Sequence, residues 1–334
     1  MPSLSMVTLN VRGMEGSYGL NRFLRKLRIR SRTHNTAVAC IQEHMLPRGK
    51  HEALLKAIRV KDFDAVITYG KADNPDSTRG GVMIIWDTKI LKLTSTLDEM
   101  PGFIRLSLDW AGLPLEVASV YAPSESGVKR IDFFNKIEKS LTPHTWAGGD
   151  WNCVPDVTVD VRSPNPLGYS NGGADALGKV MEGKGLVDER REQLGDEKEF
   201  TRTGDGAAAE TSTRLDRWYI PGGTDVLVTF SVDNDFIFKL HSSDHSAVTA
   251  MLDNKRGTTG KERDTIDEEL TLRPGIQTAI QAILKEEYQG NRSEKNKWES
   301  SHHRIHDLLL RETKQKKKKR EKEIKKTKKA VRIS

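Results

Sequence analysis

The residues with the clearest capacity for chemistry lie in a short stretch near the middle of the chain, Thr145–Asn152. Two glycines there are followed by Asp150, Trp151 and Asn152, and glycine lets backbones approach closely or take a positive φ. If the extended conformation continues to the end of the stretch, Asp150 and Asn152 face one side and Trp151 the other. A carboxylate base would then lie beside an amide donor. The alternative is a simple turn, which Asp and Asn after glycine commonly form.

Further polar residues stand at the ends of apolar runs elsewhere in the chain. They are Asn10, Glu43, Tyr121, Asp216, Asp244 and His245. Hydrolysis of a phosphodiester at neutral pH requires a neutralised phosphoryl oxygen, an activated water and help for the departing oxyanion. Mg²⁺ prefers oxygen ligands, and one or two carboxylates with a substrate phosphate can hold it. The scattered residues are therefore the types that metal-dependent phosphodiester chemistry needs.

Each of these residues also has a simpler interpretation. Glu43 is the best candidate for a metal ligand, although a glutamate at a strand end is commonly just exposed. Asp244 and His245 open an apolar strand, and Asp216 on an adjacent strand is placed to anchor one imidazole nitrogen. Asp216 between two arginines could equally be a surface charge pattern. Tyr121 could donate to a phosphate or leaving group, or simply lie half-buried at a sheet margin.

The remaining histidines and the two cysteines show no spacing typical of a metal site. We expect solvated surface histidines at His34, His44, His51, His144, His241, His302, His303 and His306. Cys40 and Cys153 lie in apolar, strand-like surroundings, which favours two reduced, buried thiols over a disulfide or a metal site.

Alternating and continuous apolar runs predict many strands and few helices. Strands are expected at 4–11, 37–42, 65–69, 80–86, 90–96, 103–110, 115–121, 214–220, 226–233 and 245–252, with another carrying Asp150. Helices are expected at 20–32, 48–60, 127–141 and 174–184, and surface loops at 74–79 and 156–173. Runs of strands with few helices favour a mixed, mostly antiparallel α+β arrangement. Two sheets packed face to face, with helices outside, would bring the polar strand ends to one edge.

Charge and composition divide the chain unevenly. Its 334 residues are 36% apolar with a net charge of +7, yet residues 255–334 hold 23 Lys and Arg against 13 Asp and Glu. We expect a catalytic domain at 1–254, a helical linker or extension at 255–313 with helical spacing over 265–289, and a Lys-rich tail at 314–334. That tail is expected to be helical or disordered until it meets a polyanion. Without a signal peptide pattern or an apolar run of about 20 residues, an intracellular, soluble protein is expected.

Taken in chain order, the polar clusters resemble the motifs of the endonuclease/exonuclease/phosphatase superfamily over residues 4–252. The matching stretches are Thr8–Gly13, Ile41–His44, Gly80–Val82, Val120–Pro123, Gly149–Asn152, Arg214–Asp216 and Ser243–His245. Any one of them is unspecific, but seven in the correct order are a strong indication. The motif sequences Leu-Asn-Val-Arg-Gly and Arg-Leu-Asp-Arg-Trp-Tyr are most similar to those of the apurinic-type endonuclease domain of LINE-type (non-LTR) retrotransposons.

This resemblance implies a four-layer α/β sandwich that nicks double-stranded DNA with Mg²⁺ or Mn²⁺ and leaves a 3′-hydroxyl for primed reverse transcription. Asn10 and Glu43 would hold the metal, and Asp150 would orient or deprotonate the attacking water. Asn152 and His245 would contact the scissile phosphate.

By the same resemblance, Asp216 would orient His245 and Tyr121 would assist the phosphate or leaving group. Asp244 would complete the metal or phosphate shell.

Several alternatives stay open at this point. The same fold could act at abasic sites, on RNA, or on lipid or inositol phosphates, and a non-catalytic nucleic-acid-binding remnant is a different class of explanation. The basic tail favours nucleic acid, although polybasic segments also bind anionic membranes. No Tyr-x-Asp-Asp reverse transcriptase motif follows residue 254, so we expect a reverse transcriptase to be missing from this chain. The chain would then be either a fragment of such an element or a separate, domesticated gene product. A nuclear location is expected for an enzyme of this type.

Overall fold

The structure is a computed structural model of the 334-residue chain. It describes residues 3–14, 16–70, 80–204, 210–224, 227–233, 243–253 and 274–288, with the single residues 297, 301, 304, 305, 308, 309 and 312. The chain divides into two compact units, Met1–Arg256 and Gly257–Ser334.

The described residues form short strands and few long helices. The strands are β1 (Leu4–Asn10), β2 (Thr36–Gln42), β3 (Phe63–Thr68), β4 (Val82–Asp87), β5 (Lys92–Met100), β6 (Phe103–Trp110), β7 (Leu113–Tyr121), β8 (Thr145–Asp150), β9 (Val161–Arg162), β10 (Leu186–Val187), β11 (Arg202–Thr203), β12 (Ser212–Thr213), β13 (Asp216–Pro221), β14 (Leu227–Asp233) and β15 (Ala247–Asp253). The α-helices are α1 (Gly16–His34), α2 (His51–Arg59), α3 (Gly127–Glu138), α4 (Val157–Asp160), α5 (Ala174–Lys184), α6 (Glu189–Leu194) and α7 (Pro274–Tyr288). Single 3₁₀ turns occur at Arg48–Lys50 and Pro166–Gly168.

The first unit is built on two six-stranded sheets. The first has the order β14-β15-β1-β2-β4-β3, and the second has the order β10-β13-β8-β7-β6-β5. Each contains a single parallel pair, β1 with β2 and β7 with β8, while all other neighbours run antiparallel. The prediction of mixed, mostly antiparallel sheets is therefore confirmed.

Side chains alternate between an inner and an outer core, which produces four layers. Along β1, Met6 joins the core between the two sheets, whereas Leu9 joins the core under α1 and α2. On the second sheet, Val120 faces Phe134 of α3 and Leu177 of α5. The order helices, sheet, sheet, helices is the four-layer sandwich that the sequence predicted.

Most predicted elements are present, with differences at their ends. Helix α1 extends beyond the predicted 20–32 in both directions. The loop predicted at 156–173 instead holds α4, β9 and a 3₁₀ turn, because β9 pairs with β12 in a small three-stranded sheet and Asp156 caps α4. The predicted loop at 74–79, the predicted helical residues 265–273 and the tail at 314–334 lie outside the described residues.

The second unit contains α7. Its Ile276 packs with Leu309, and Ile280 and Ile305 lie against that pair. In the described part of the chain no helix is long and apolar enough to cross a membrane.

Candidate active site

The topology gathers the predicted polar residues at one edge of the two sheets. Parallel neighbours end together, so Asn10 lies beside Gln42 and Tyr121 beside Asp150. Antiparallel neighbours begin where those strands end, which places Asp216 directly opposite Asp150. The register of β15 against β1 likewise brings the residues just before Ala247 to the end of β1.

Asn10 connects the two sheets at this edge. Its Nδ2 donates to Glu43 Oε1 at 2.8 Å and to Asp150 Oδ2 at 2.9 Å. Its Oδ1 accepts from the backbone N–H of Arg12 at 3.0 Å, which fixes the orientation of the amide. A carboxylate of each sheet therefore lies within hydrogen-bond distance of one nitrogen.

His245 is held by a buried carboxylate. Its Nδ1 lies 2.8 Å from Asp216 Oδ2, and the Thr201 hydroxyl donates to that same oxygen at 2.7 Å. Its Nε2 points toward Asp150, with 4.0 Å to Oδ2. The backbone is fixed too, because Ser243 Oγ accepts from the His245 N–H at 3.1 Å and donates to the Asn10 carbonyl at 2.6 Å. The predicted contact between Asp216 and His245 is present, and it sets which imidazole nitrogen faces Asp150.

Burial and mutual charge perturb both groups. Burial and the charge of Asp216 raise the pKa of Asp150 to about 6, although His245 and Asn10 oppose the shift. Burial lowers the pKa of His245, but Asp216, Asp150 and Asp244 outweigh it and raise that pKa to about 9. The site therefore contains a carboxyl group that changes charge close to neutral pH beside an imidazolium.

Tyr121 lies behind Glu43. Burial, followed by the charge of Glu43 and a hydrogen bond to it, raises the pKa of the Tyr121 phenol far above its ordinary range. The phenol is therefore a hydrogen-bond donor at any physiological pH.

The stretch around Asp150 differs in detail from the sequence expectation. Strand β8 ends at Asp150, and Asn152 takes a left-handed φ of 49°, so the extended conformation stops before Asn152. Asn152 Nδ2 donates to the Ala122 carbonyl at 2.8 Å. Trp151 is buried against Tyr219, with ring centroids 4.9 Å apart. Asn152 thus reaches the same cleft as Asp150 through a turn.

The glycine before Asp150 is required by close approach and does not mark a turn. A Cβ on Gly149 would lie 2.0 Å from the Val120 carbonyl oxygen, inside the parallel strand pair. Gly148 is similarly tight, because its Cβ would lie 2.7 Å from the Trp218 ring. Both residues are in β8, so the sharp turn comes later, at Asn152.

The residues above open into a cleft of about 630 Å³. It is lined by Glu43, Asp150, Asn152, Asp244 and His245 among others, whereas Asn10, Tyr121 and Asp216 are not among its lining residues. Its lining also includes arginines, serines and asparagines with few apolar side chains. A polar cleft of this kind suits a charged, hydrated ligand.

Two different groups of residues at the site could hold a metal. The sequence predicted Asn10, Glu43 and Asp244, whose roles stay predictions. By geometry alone, Asp150, Asp216 and His245 also qualify, since one ligand atom of each lies within 4.8 Å of the others. Asp216 and His245 already bond to each other, and Asp216 does not line the cleft, whereas Glu43 and Asp150 do.

Sequence reasoning missed several residues of the site. Arg12 lies 3.3 Å from Asp244, and Arg202 Nε donates to the same carboxylate at 2.8 Å. Arg12 lies inside the first motif, so the sequence could have indicated it. Arg202 and Thr201 follow a segment that has no recognisable pattern.

One of the described histidines was predicted wrongly, and His241, His302, His303 and His306 lie outside the described residues. His44 is buried and not a solvated surface residue, because its Nε2 lies 2.8 Å from the Thr68 carbonyl and its Nδ1 accepts from Leu46 N–H at 3.0 Å. Burial lowers its pKa to about 4. The prediction of two buried free thiols at Cys40 and Cys153 is confirmed.

Known structures share this architecture. The chain is similar to the endonuclease domain of TRAS1, a telomere-specific non-LTR retrotransposon, with a TM-score of 0.53 and 16% identity over 75% of this chain and 98% of that domain. It is similar to the AP endonuclease LMAP from Leishmania major, with a TM-score of 0.58 and 14% identity over 75% and 88%. It also resembles an endonuclease/exonuclease/phosphatase family protein from Bacteroides thetaiotaomicron, with a TM-score of 0.50 and 16% identity over 78% and 99%.

No protein-family model matches the sequence, and no curated protein matches it. The structural likeness nevertheless defines the class of fold. The chain has the fold of the endonuclease/exonuclease/phosphatase proteins, as the motif order predicted.

Proposed function

We propose that this chain is a metal-dependent endonuclease that hydrolyses phosphodiester bonds in double-stranded DNA and leaves a 3′-hydroxyl. The observation that carries the proposal is the Asn10 amide shared by Glu43 and Asp150, one carboxylate from each sheet, beside His245 in a polar cleft. Two of the structurally similar proteins are endonucleases by name, which agrees with this chemistry.

The donor atoms suit Mg²⁺ or Mn²⁺. Glu43 lines the cleft, and its carboxylate and that of Asp150 offer hard oxygen atoms to an ion at this point. Burial and then the charge of Asp216 raise the pKa of Asp150, so a nearby cation would favour its ionised form. An ion bound there would neutralise the phosphoryl charge and polarise a water molecule.

Asp150 is the residue that we assign to the attacking water. As an ionised carboxylate it can accept a proton from that water, and Asn10 and the Asn152 N–H each hold one of its oxygens. His245 and Asn152 border the same cleft and would donate to the scissile phosphate. Asp216 keeps the imidazole oriented from behind.

Tyr121 and Asp244 complete the proposed set. The protonated Tyr121 phenol would donate to the phosphate or the leaving group, with Glu43 as its present partner. Asp244 would belong to the metal or phosphate shell.

The finer role is target-site cleavage by a LINE-type retrotransposon. This role is supported by the residues of the sequence motifs and by the similarity to the TRAS1 domain. A 3′-hydroxyl at the nick would prime a reverse transcriptase carried elsewhere, and this role would require the protein to enter the nucleus.

A supercoiled plasmid assay tests the proposal. Wild type should convert the plasmid to open circles with Mg²⁺ or Mn²⁺ but not with EDTA, and a DNA polymerase should extend the nicks directly. Glu43→Ala and Asp150→Ala should each reduce the rate by about 100-fold or more. Full activity of either variant would contradict the assignment of the site.

The AP endonuclease similarity makes an abasic duplex the first alternative substrate. Rates on intact duplex, abasic duplex, RNA and inositol phosphates, measured with the same preparations, separate these possibilities. We expect the intact duplex to be cut at least as fast as the others. DNA binding without cleavage of any phosphoester would identify a non-catalytic remnant.

A further inference from the structure

Two arginines flank Asp244 at the mouth of the cleft. Arg202 Nε donates to Asp244 Oδ2 at 2.8 Å, and an Arg12 terminal nitrogen lies 3.3 Å from Oδ1. The Asp244 side chain is only 8% exposed, whereas those of Arg12 and Arg202 are 43% and 31% exposed. The carboxylate is thus covered, and the guanidinium groups line the cleft.

Both arginines are fixed through the candidate active site. The Arg12 N–H donates to the same Asn10 side chain that bridges Glu43 and Asp150. Arg202 forms a β-bridge with His245, and the neighbouring Thr203 N–H donates to the Asp244 carbonyl at 3.1 Å. A shift of either arginine would therefore be coupled to the residues around Asp150.

Two guanidinium groups face the single carboxylate of Asp244. Arg202 bonds Asp244 through Nε, so Asp244 does not use its two terminal nitrogens. A planar guanidinium matches two phosphate oxygens better than an ammonium does.

We propose that Arg12 and Arg202, held by Asp244, bind a phosphate of the nucleic acid next to the scissile one. We call these three residues the Asp244 clamp. Its ligand is a backbone phosphodiester, an assignment that rests on the proposed function. Asp244 is the positioning residue of the clamp, and Arg12 and Arg202 are its binding residues. Asp244 is thereby assigned to the phosphate shell and not to the metal shell.

A role as metal ligand would conflict with the present contacts of Asp244. Each carboxylate oxygen already faces one arginine, so a divalent cation there would lie against two positive charges. Among the described residues, the Glu43 side chain has no such neighbour, and its contacts are the Asn10 amide and the Tyr121 phenol. The two acidic residues therefore have different electrostatic surroundings in one cleft.

Steady-state nicking kinetics and DNA binding test the clamp with the full chain. Arg12→Ala and Arg202→Ala should each raise KM about tenfold and change kcat less than about threefold. Duplex binding in EDTA should lose about one unit of salt dependence for each arginine. Arg202→Lys should restore the salt dependence but only part of the affinity, because lysine lacks the planar fork.

The matched control is Arg59→Ala, which removes an arginine paired with Asp64 away from the cleft. It should leave KM and the salt dependence unchanged. Thermal denaturation of every variant identifies any that fail to fold, and for those the lysine variants are compared instead.

Asp244→Asn separates the two roles of this carboxylate. The clamp predicts weaker DNA binding in EDTA and an unchanged half-activating Mg²⁺ concentration. A tenfold rise in that concentration with unchanged DNA binding would overturn the clamp, as would normal binding by both arginine-to-alanine variants. If wild type cuts nothing while those variants still lose DNA affinity, the proposed function fails and the clamp stands.

Discussion

The two edges of the sandwich use the same uncommon backbone conformation in different ways. We call the edge that carries the candidate active site the site edge, and left-handed φ angles occur there at the non-glycine residues Arg12, Glu43, Met45 and Asn152. At the other end of the strands, the opposite edge, they occur at Asn35, Asp62 and Ala111. The three at the opposite edge are all exposed. At the site edge Arg12 is exposed as well, whereas Glu43, Met45 and Asn152 are partly buried and buried polar side chains surround them.

The difference shows what holds each edge in place. Asn and Asp tolerate the left-handed region, and Ala111 with Gly112 forms a two-residue hairpin turn in which both φ angles are positive. Glu43 and Met45 have no such local reason. They flank His44, whose two ring nitrogens hold the segment to Thr68 and Leu46. Strain at the site edge is thus maintained by contacts between distant segments, as is usual around functional sites.

The largest expected contrast between the edges is in activity. Asp216→Asn should reduce kcat for plasmid nicking by about 100-fold or more, because the amide no longer stabilises or orients His245. Asp62→Asn, which alters an exposed residue paired with Lys89, should leave kcat unchanged. Equal losses in the two variants would remove the distinction between the edges.

Two glycines allow the free space around the backbone to be compared between the two edges. Gly81 and Gly112 both have φ +86°, but a Cβ on Gly81 would lie 2.4 Å from His44 Nε2, whereas one on Gly112 meets nothing within 4 Å. Gly112→Ala should lower the free energy of unfolding by about 1 kcal/mol. Gly81→Ala should cost at least about 2 kcal/mol more, because His44 must move. Urea unfolding of both variants measures the difference, and similar costs would contradict the role given to His44.

The pH dependence of stability should also distinguish the site edge. His245 has a pKa of about 9 in the fold and 6.5 as its ordinary value, so its protonation stabilises the fold fully below pH 6.5. That contribution is lost as the pH rises through about 9. Without metal ions, wild type should therefore lose about 1 to 3 kcal/mol of unfolding free energy between these values.

In Asp216→Asn this loss should shrink by at least about 1 kcal/mol, since Asp216 is the main group that raises the pKa of His245. Asp62→Asn should behave like wild type. Urea unfolding in EDTA at pH 6.5 and 9 provides the comparison. The same loss in wild type and Asp216→Asn would show that this pair does not carry the pH dependence.

The smallest expected contrast concerns single hydroxyl groups. Thr201→Val removes the donor to Asp216 Oδ2 and the acceptor of the Asp216 N–H, so it should cost about 1 to 2 kcal/mol and lower kcat severalfold. Thr88→Val removes an exposed hydrogen bond to the Asp62 carbonyl and should cost less than about 0.5 kcal/mol. Calorimetric denaturation of both variants measures the loss of stability. A larger loss in Thr88→Val than in Thr201→Val would contradict the expected difference between the two edges.

The same contrast explains how much could be predicted from the sequence. Strands such as Val82–Asp87 and helices such as Ala174–Lys184 follow from local apolar spacing and turn residues, and both were predicted closely. Motif order identified the residues that meet at the site edge, since each stands at the end or beginning of a strand. Their common edge then follows from the pairing of parallel and antiparallel neighbours.

What the sequence could not predict depends on contacts across long separations. His44 was taken for a surface histidine because nothing nearby shows that Thr68 and Gly81 enclose it. Arg202 joins Asp244 across 42 residues, and no periodicity marks such a pair. The segment 156–173 looks like a loop because β9 has only two residues and pairs with β12 far along the chain.

We propose that Glu43 from the first sheet and Asp150 from the second serve one metal site. Crystals grown with Mn²⁺ and measured at its absorption edge would locate the ion directly by anomalous scattering. We predict a peak within coordination distance of Glu43, on the cleft side of the Asn10 amide, that disappears in Glu43→Gln crystals. A peak held by Asp216 and His245 instead, or one that persists in Glu43→Gln, would contradict this account.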